Sequence, residues 1–268
     1  MERRTLQIGM LKLLVHTVGR LSNGVRIAHR HGFTSGKMLD YVYRNEPSGK
    51  GPLGKLLDRA YLSHEGWRAV RIRTQHLQEL LAGAIRQALQ ERGEVLLLDI
   101  AAGPARYLQD ALLKFPQTRI EAVCWDLADR WLEEGQRSAA DRGLRNILYD
   151  HGDAMNALDY RRLARRPDIV VASGFYDWME EDAAIQESLR LVHDALGEGG
   201  CFVFTIQTGH VDLRMVNAVF HRFDGGPLRM TTRPAAVVHG WARRIGFRIE
   251  RIRSDEWRYH AVTLARKR

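Results

Sequence analysis

From Val95 onward, short apolar runs alternate with amphipathic stretches of helical period. The runs at 95–99, 119–125, 146–149, 168–173, 200–206, 246–252 and 259–265 are short and apolar enough to read as strands, and helices fill most of the intervals. This alternation predicts an α/β fold, a doubly wound, seven-stranded, mostly parallel sheet covered by helices on both faces. The last two runs, RIERIR and YHAVTLA, are joined only by SDEWR, so they pair antiparallel at an edge.

Before Val95 the pattern changes. Residues 4–22 put Leu6, Met10, Leu13, Leu14 and Val18 near one helical face, with Arg4, Lys12, His16 and Arg20 elsewhere. A basic amphipathic helix of this kind either docks on the main domain or lies on a membrane. A stretch dense in turn residues and aromatics follows, ending in an amphipathic helix from about His64 to Arg92. No Ser/Gly linker separates it from the first strand. The pattern predicts a basic helical cap over 1–92 that closes on the substrate, and an α/β domain over 93–268.

Charge sharpens the division. The net charge is +9, and residues 1–75 hold 14 Lys and Arg against 5 Asp and Glu, so the whole excess lies there. Such an asymmetry marks a surface for nucleic acid, anionic lipid or an acidic substrate, although an arginine-rich solvated face has the same composition. Nucleic acid is the less favoured partner, even though phosphate would be attracted equally. No apolar run reaches the roughly 18 to 20 residues of a membrane span. Cys124 and Cys201 fall inside core strands, which predicts free thiols in a reducing cytoplasm and no metal site. Walker, H-E-x-x-H, C-x-x-C and G-x-S-x-G patterns are absent, which sets hydrolase, kinase and zinc chemistry aside.

The stretch LLLDIAAGPARYLQDAL, residues 96–112, runs from an apolar strand through small residues into an amphipathic helix. Small side chains there let backbone N–H groups and a helix start approach a ligand. Asp99, Ala101, Gly103 and Ala105 form this turn, although a tight strand-to-helix turn with no ligand has the same residues. The second strand ends at Asp126, a little over twenty residues beyond Gly103, where an acid accepts from ribose hydroxyls. The third ends near Asp153, and the fourth at Ser173 and Gly174. Polar or small residues thus stand at four neighbouring strand ends, where open α/β sheets bind ligands.

With these residues the chain resembles the class I S-adenosylmethionine-dependent methyltransferases over 95–268. D-I-A-A-G-P-A matches the family's acidic turn, Asp126 its ribose acid, Asp153 its adenine-side acid, and GEGG–CFVFTI its fifth strand. GFTSGKMLDYVYRN, DRAYL, GWRAVRIR and SGFYDW further resemble a methyltransferase family often fused to α/β-hydrolases, which extends the likeness into the cap. One departure concerns the loop after the fifth strand. A Pro- and Trp-containing loop is expected, whereas IQTGHVDLRMVNAVFHRF has neither.

The resemblance implies S-adenosylmethionine as cosubstrate or sole substrate, and methyl transfer to a small-molecule or lipid-like acceptor. Aromatic faces attract a sulfonium, which makes Tyr176, Tyr41 and Tyr43 the candidates for contact with the reacting group; Tyr61, Trp67, Phe175 and Trp178 read as packing or ligand contacts. Arg106 follows the turn and can meet the methionine carboxylate or pair with Asp110; Arg71 and Arg73 are further basic candidates, and His210 stands in the loop where a base is wanted. Two alternatives stay open. Synthases of azetidine-2-carboxylate resemble methyltransferases, so an intramolecular cyclisation releasing methylthioadenosine is compatible, as in natural-product pathways. A non-catalytic cofactor-binding module is the other.

Overall fold

The structure, a computed structural model, describes residues 9–10, 12–222 and 224–268. Arg4 and Leu6 of the expected first helix lie outside the described residues. The chain divides into two compact units, one of residues 1–72 with 210–230 and one of residues 73–209 with 231–268.

The second unit is the sheet. Its strands are β1 (Val95–Ile100), β2 (Ile120–Asp126), β3 (Ile147–His151), β4 (Ile169–Ala172), β5 (Cys201–Gln207), β6 (Phe247–Ser254) and β7 (His260–Lys267). Their order is β3-β2-β1-β4-β5-β7-β6. Strands β1 to β5 pair in parallel, while β7 is antiparallel to both β5 and β6. All seven runs read from the sequence form strands, and the short-linked pair closes one edge. Reversal of strand order beside β1 puts the ends of β1, β2 and β4 around one crevice, the usual ligand position in such sheets.

Alternating side chains feed two cores. On one face Leu97, Cys124, Val171 and Val203 pack with Leu77, Leu81 and Ile85, which belong to a long helix, Glu65–Arg92, and with Leu108 and Leu112 of the helix Arg106–Leu112. On the other face Leu98, Trp125, Phe202 and Phe204 pack with Ile185, Leu189 and Val192 of Asp182–Ala195, and with Val238 and Trp241 of Ala235–Ile245. Each fully buried aliphatic or Phe side chain stabilises by about 1.5 to 3 kcal/mol. Leu77, Leu81 and Ile85 are wholly buried. That burial moves the boundary from the expected residue 92 to residue 72, because most of the long helix is covering for the sheet.

The first unit is helical. Residues 9–10 and 12–16 are helical, a 3₁₀ turn spans Val18–Leu21, and helices α1 (Asn23–His31), α2 (Gly36–Arg44) and α3 (Gly51–Leu62) follow. Ser22 and Ser35 start α1 and α2 by accepting from the N–H groups of Val25 and Met38, the N-cap role for which serine is suited. Asp58 is fully buried and accepts from the Ser22 hydroxyl at 2.6 Å and from the N–H groups of Gly24 and Ser48, both at 2.8 Å, and from the Tyr41 hydroxyl. One carboxylate therefore joins three segments. The loop after β5 contributes Val219 and Phe220 to this unit's core, and Phe33 lies 4.5 Å from Trp67 and 5.2 Å from Phe220 between ring centroids. The expected division at residue 92 left this loop with the sheet. Its apolar side chains place it otherwise.

Candidate functional site

The turn after β1 has an uncommon backbone. Ala101, Gly103 and Ala105 all take left-handed conformations, with φ of 50°, 55° and 51°. Each alanine in that region costs of order 1 to 2 kcal/mol, a strain that persists where the surroundings fix the backbone. The surroundings here do so. Gln109, fully buried on the helix after the turn, donates to the Pro104 carbonyl at 3.1 Å and the Gly135 carbonyl at 3.2 Å. Tyr149 of β3 donates to the same Pro104 carbonyl at 3.0 Å. Space over the turn is open, since a Cβ at Gly103 would meet no atom within 4 Å.

Two acids, Asp126 and Asp99, stand at this turn, and a third, Asp153, follows β3 at the same edge of the sheet. Asp126, at the end of β2, accepts from the Gly103 N–H at 2.9 Å and from the Ala128 N–H at 3.0 Å. It is only part-buried, and a carboxylate has about four lone-pair positions, so two acceptor positions stay available for hydroxyl donors. Asp153 is also partly exposed and accepts from the Met155 N–H at 2.8 Å. Gly152 before it lies against Trp125, where a Cβ would come within 2.6 Å of the indole. Asp99 is fully buried, and Tyr107 donates to both its oxygens at 2.6 Å. Burial pushes its carboxyl up to about 8, the Tyr107 hydrogen bond opposes this, and the Asp126 charge adds to the rise.

The fourth strand end is built differently from the expectation. Ser173 is partly exposed, and Gly174 has φ 75° and donates to the Thr205 hydroxyl at 2.7 Å. Tyr176, however, turns away from the edge. It is 3% exposed, packs edge-on to Phe202 and Phe204, and its hydroxyl lies 3.3 Å from that of Ser188. A ring held there is core, not a ligand face. Tyr41 is buried too, and its hydroxyl is occupied by Asp58 in the first unit. Both are corrected to packing and positioning roles, while Tyr43 on the same α2 keeps a partly exposed ring. His210 is exposed, with its Nδ1 2.7 Å from the Val211 carbonyl. Arg71 donates to the Leu62 carbonyl at 2.9 Å. Arg106, the candidate for the methionine carboxylate, is partly exposed, and Asp110 pairs with Arg142.

Sequence reasoning missed a second polar cluster at the same edge of the sheet. Asp177 follows β4 and meets Arg73 at 3.2 Å, both largely buried. Asp255, in the β6–β7 link, accepts from the N–H groups of Trp257, Tyr259 and His260 and lies 3.4 Å from the His260 imidazole. These bonds hold Asp255 down to about 2, against the desolvation that opposes them. His260 is lowered chiefly by burial, Asp255 opposing, and it pairs in register with Gln207 at the end of β5. The link SDEWR looked like a bare connection. An Asp five residues before a strand-opening His was the available signal.

The edge thus combines a turn open to close backbone approach with an acid, Asp126, that keeps free acceptor capacity. A cavity of about 570 Å³ elsewhere is lined by Arg161, Arg165, Arg166 and Arg190. It lies at the opposite edge, where strands begin, and Arg165 and Arg190 already pair with Asp168, Glu187 and Asp194. Among the described residues no group of three His, Cys, Asp or Glu side chains could hold a metal, and no helix is long and apolar enough to cross a membrane.

Comparison with known proteins agrees with this fold. The sequence profile of a family described as "Putative methyltransferase" matches residues 2–267. The uncharacterized protein YnbC of Escherichia coli K12 is 34% identical over 253 residues, covering 93% of this chain but 43% of that protein. The chain thus spans less than half the length of that relative. Among solved structures, a possible exported protein from Bordetella parapertussis superimposes with TM-score 0.71 at 18% identity, covering 96% of this chain and 87% of that one. Magnesium protoporphyrin IX methyltransferase from Synechocystis PCC 6803, solved with bound SAH, gives TM-score 0.58 at 12% identity, with 89% and 98% covered. The match along nearly the whole sequence and the shared fold lead to one conclusion: the chain belongs to this methyltransferase family and has the class I methyltransferase fold.

Proposed function

We propose that the protein transfers the S-methyl group of S-adenosylmethionine to a small-molecule or lipid-like acceptor. The observation that carries this reading is the left-handed turn Ala101–Ala105 with the Asp126 carboxylate bonded across it at the ends of parallel strands. In this reading Asp126 accepts from the ribose hydroxyls, Asp153 stands on the adenine side, and the Asp99-to-Ala105 turn lies beneath the methionine part. Arg106 meets the carboxylate. Ser173 and Gly174 allow close backbone approach.

The cosubstrate, once bound, supplies an activated methyl carbon on a positively charged sulfur. The chain has little covalent work to do. Its residues hold the two reactants in line and exclude water, which together provide most of the acceleration in displacements of this type. The two free, buried cysteines suit a reducing cytoplasm, which we include in the proposal.

Calorimetry tests the ribose assignment. Asp126→Ala should weaken S-adenosylmethionine binding by about 1 to 3 kcal/mol, the loss for a charged acceptor in a part-buried site. Unchanged affinity refutes it. Incubation with S-adenosylmethionine alone tests the reaction: an unaltered cosubstrate supports an external acceptor, whereas methylthioadenosine with azetidine-2-carboxylate would replace methyl transfer by cyclisation.

A further inference from the structure

The first unit exposes apolar side chains on two adjoining elements. On the leading helical stretch Met10, Leu13 and Leu14 are 62%, 67% and 57% exposed, followed by Val18 at 41%. Spacings of three and four put them on one face, while Val15 points the other way and is buried. On α3, Leu53 and Leu56 are 52% and 61% exposed, again three apart. The 3₁₀ turn Val18–Leu21, which follows the leading stretch and carries the exposed Val18, touches α3 through backbone. The Lys50 N–H donates to the Leu21 carbonyl at 2.8 Å, and a Cβ at Gly54 would stand 2.7 Å from that oxygen. Contiguous exposed apolar surface of this kind marks an interaction site more often than chance.

The charges around it select the partner. Residues 9–39 contain no acidic residue. Lys12, Arg20, Lys50, Lys55 and Arg59 are exposed, and none is ion-paired among the described residues. The acid on α3, Asp58, is buried and consumed by hydrogen bonds. A protein partner with a mixed surface would leave several of these cations facing like charge or apolar atoms. A bilayer interface with anionic headgroups meets both halves of the pattern, since leucines enter the acyl boundary while lysines and arginines stay at headgroup level. We infer that the first unit docks peripherally on anionic membranes through Met10, Leu13, Leu14, Leu53 and Leu56, with its basic residues as the electrostatic contact. The inference stands apart from the methyl-transfer reading, since it concerns another surface.

Sedimentation with vesicles of phosphatidylglycerol and phosphatidylcholine, compared with phosphatidylcholine alone, tests it on the full chain. We expect binding to the anionic vesicles alone and release in about 0.5 M salt, where the Debye length falls to roughly half of its value of about 8 Å at 0.15 M. The double variant Leu13→Asp, Leu53→Asp should lose at least tenfold in partitioning, and Lys12→Glu with Lys55→Glu a similar amount. Ile252→Asp, a comparably exposed apolar site on β6, should bind as the unaltered protein does. These positions are exposed, so thermal unfolding should confirm that every variant folds. Absence of vesicle binding, equal binding to neutral vesicles, or leucine variants that change the oligomeric mass instead would each overturn the proposal.

Discussion

Asp99→Asn should make the sheet unit more stable than the unaltered protein above pH 6 and leave it equal near pH 4. The reason is the proton balance. Asp99 ionises near 3.8 in the unfolded chain and near 8 when folded, so between these values the folded state holds a proton that the unfolded state has released. Stability therefore falls as pH rises through that window, by about 1 kcal/mol per pH unit, and is constant beyond it. Asparagine removes the titration and can still accept from Tyr107, whose hydroxyl lies at 2.6 Å. Denaturant unfolding of both proteins from pH 4 to 8 measures the difference. Parallel pH profiles would show that Asp99 is ionised throughout. The same property ties the site to its proposed cosubstrate, because a nearby cation favours the carboxylate. Binding of S-adenosylmethionine at pH 7 should then release a proton, seen as a buffer-dependent enthalpy that Asp99→Asn abolishes.

Asp58→Ala should cost the first unit about 3 to 5 kcal/mol, the range for removing one partner from a buried charged network. Four donors lose their acceptor at once, those of Ser22, Gly24, Tyr41 and Ser48. Ser48 and Tyr41 retain each other, with hydroxyl oxygens 3.1 Å apart, which is too little to replace the carboxylate. Hydrogen exchange should show the loss locally, as faster exchange at the Gly24 and Ser48 amides while β1 to β5 stay protected. A melting temperature within a degree or two of the unaltered protein would show that water or neighbouring side chains satisfy these groups.

The sheet was legible because each strand is a short apolar run beside a helical period, and parallel strands buried on both faces carry that pattern strongly. Strand ends differed from the expected ones by one or two residues. The turn was legible from its small residues, although the left-handed alanines were not, since sequence shows which residues tolerate such φ poorly but not where a buried Gln109 and Tyr149 compel it. Tyr176 misled for a related reason. It follows Gly174, yet the 3₁₀ turn Phe175–Asp177 rotates its ring inward and sends Asp177 to Arg73. The Asp255–His260 and Arg73–Asp177 contacts join residues far apart in the chain or hidden in a tight link, so no local period announces them.

The first unit's core is closed by residues that arrive late. Phe33, Tyr61 and Trp67 are made early, but Phe220, the ring against which Phe33 and Tyr61 pack, follows all five parallel strands. At ordinary elongation rates the nascent chain spends on the order of ten seconds with this aromatic cluster incomplete. Throughout that interval β1 to β5 are emerging and pairing. Vectorial synthesis cannot therefore finish this protein from its N-terminus forward: the sheet must assemble beside a half-built helical unit, and a ribosome stalled before Val219 would hold exposed aromatic surface for a chaperone to cover.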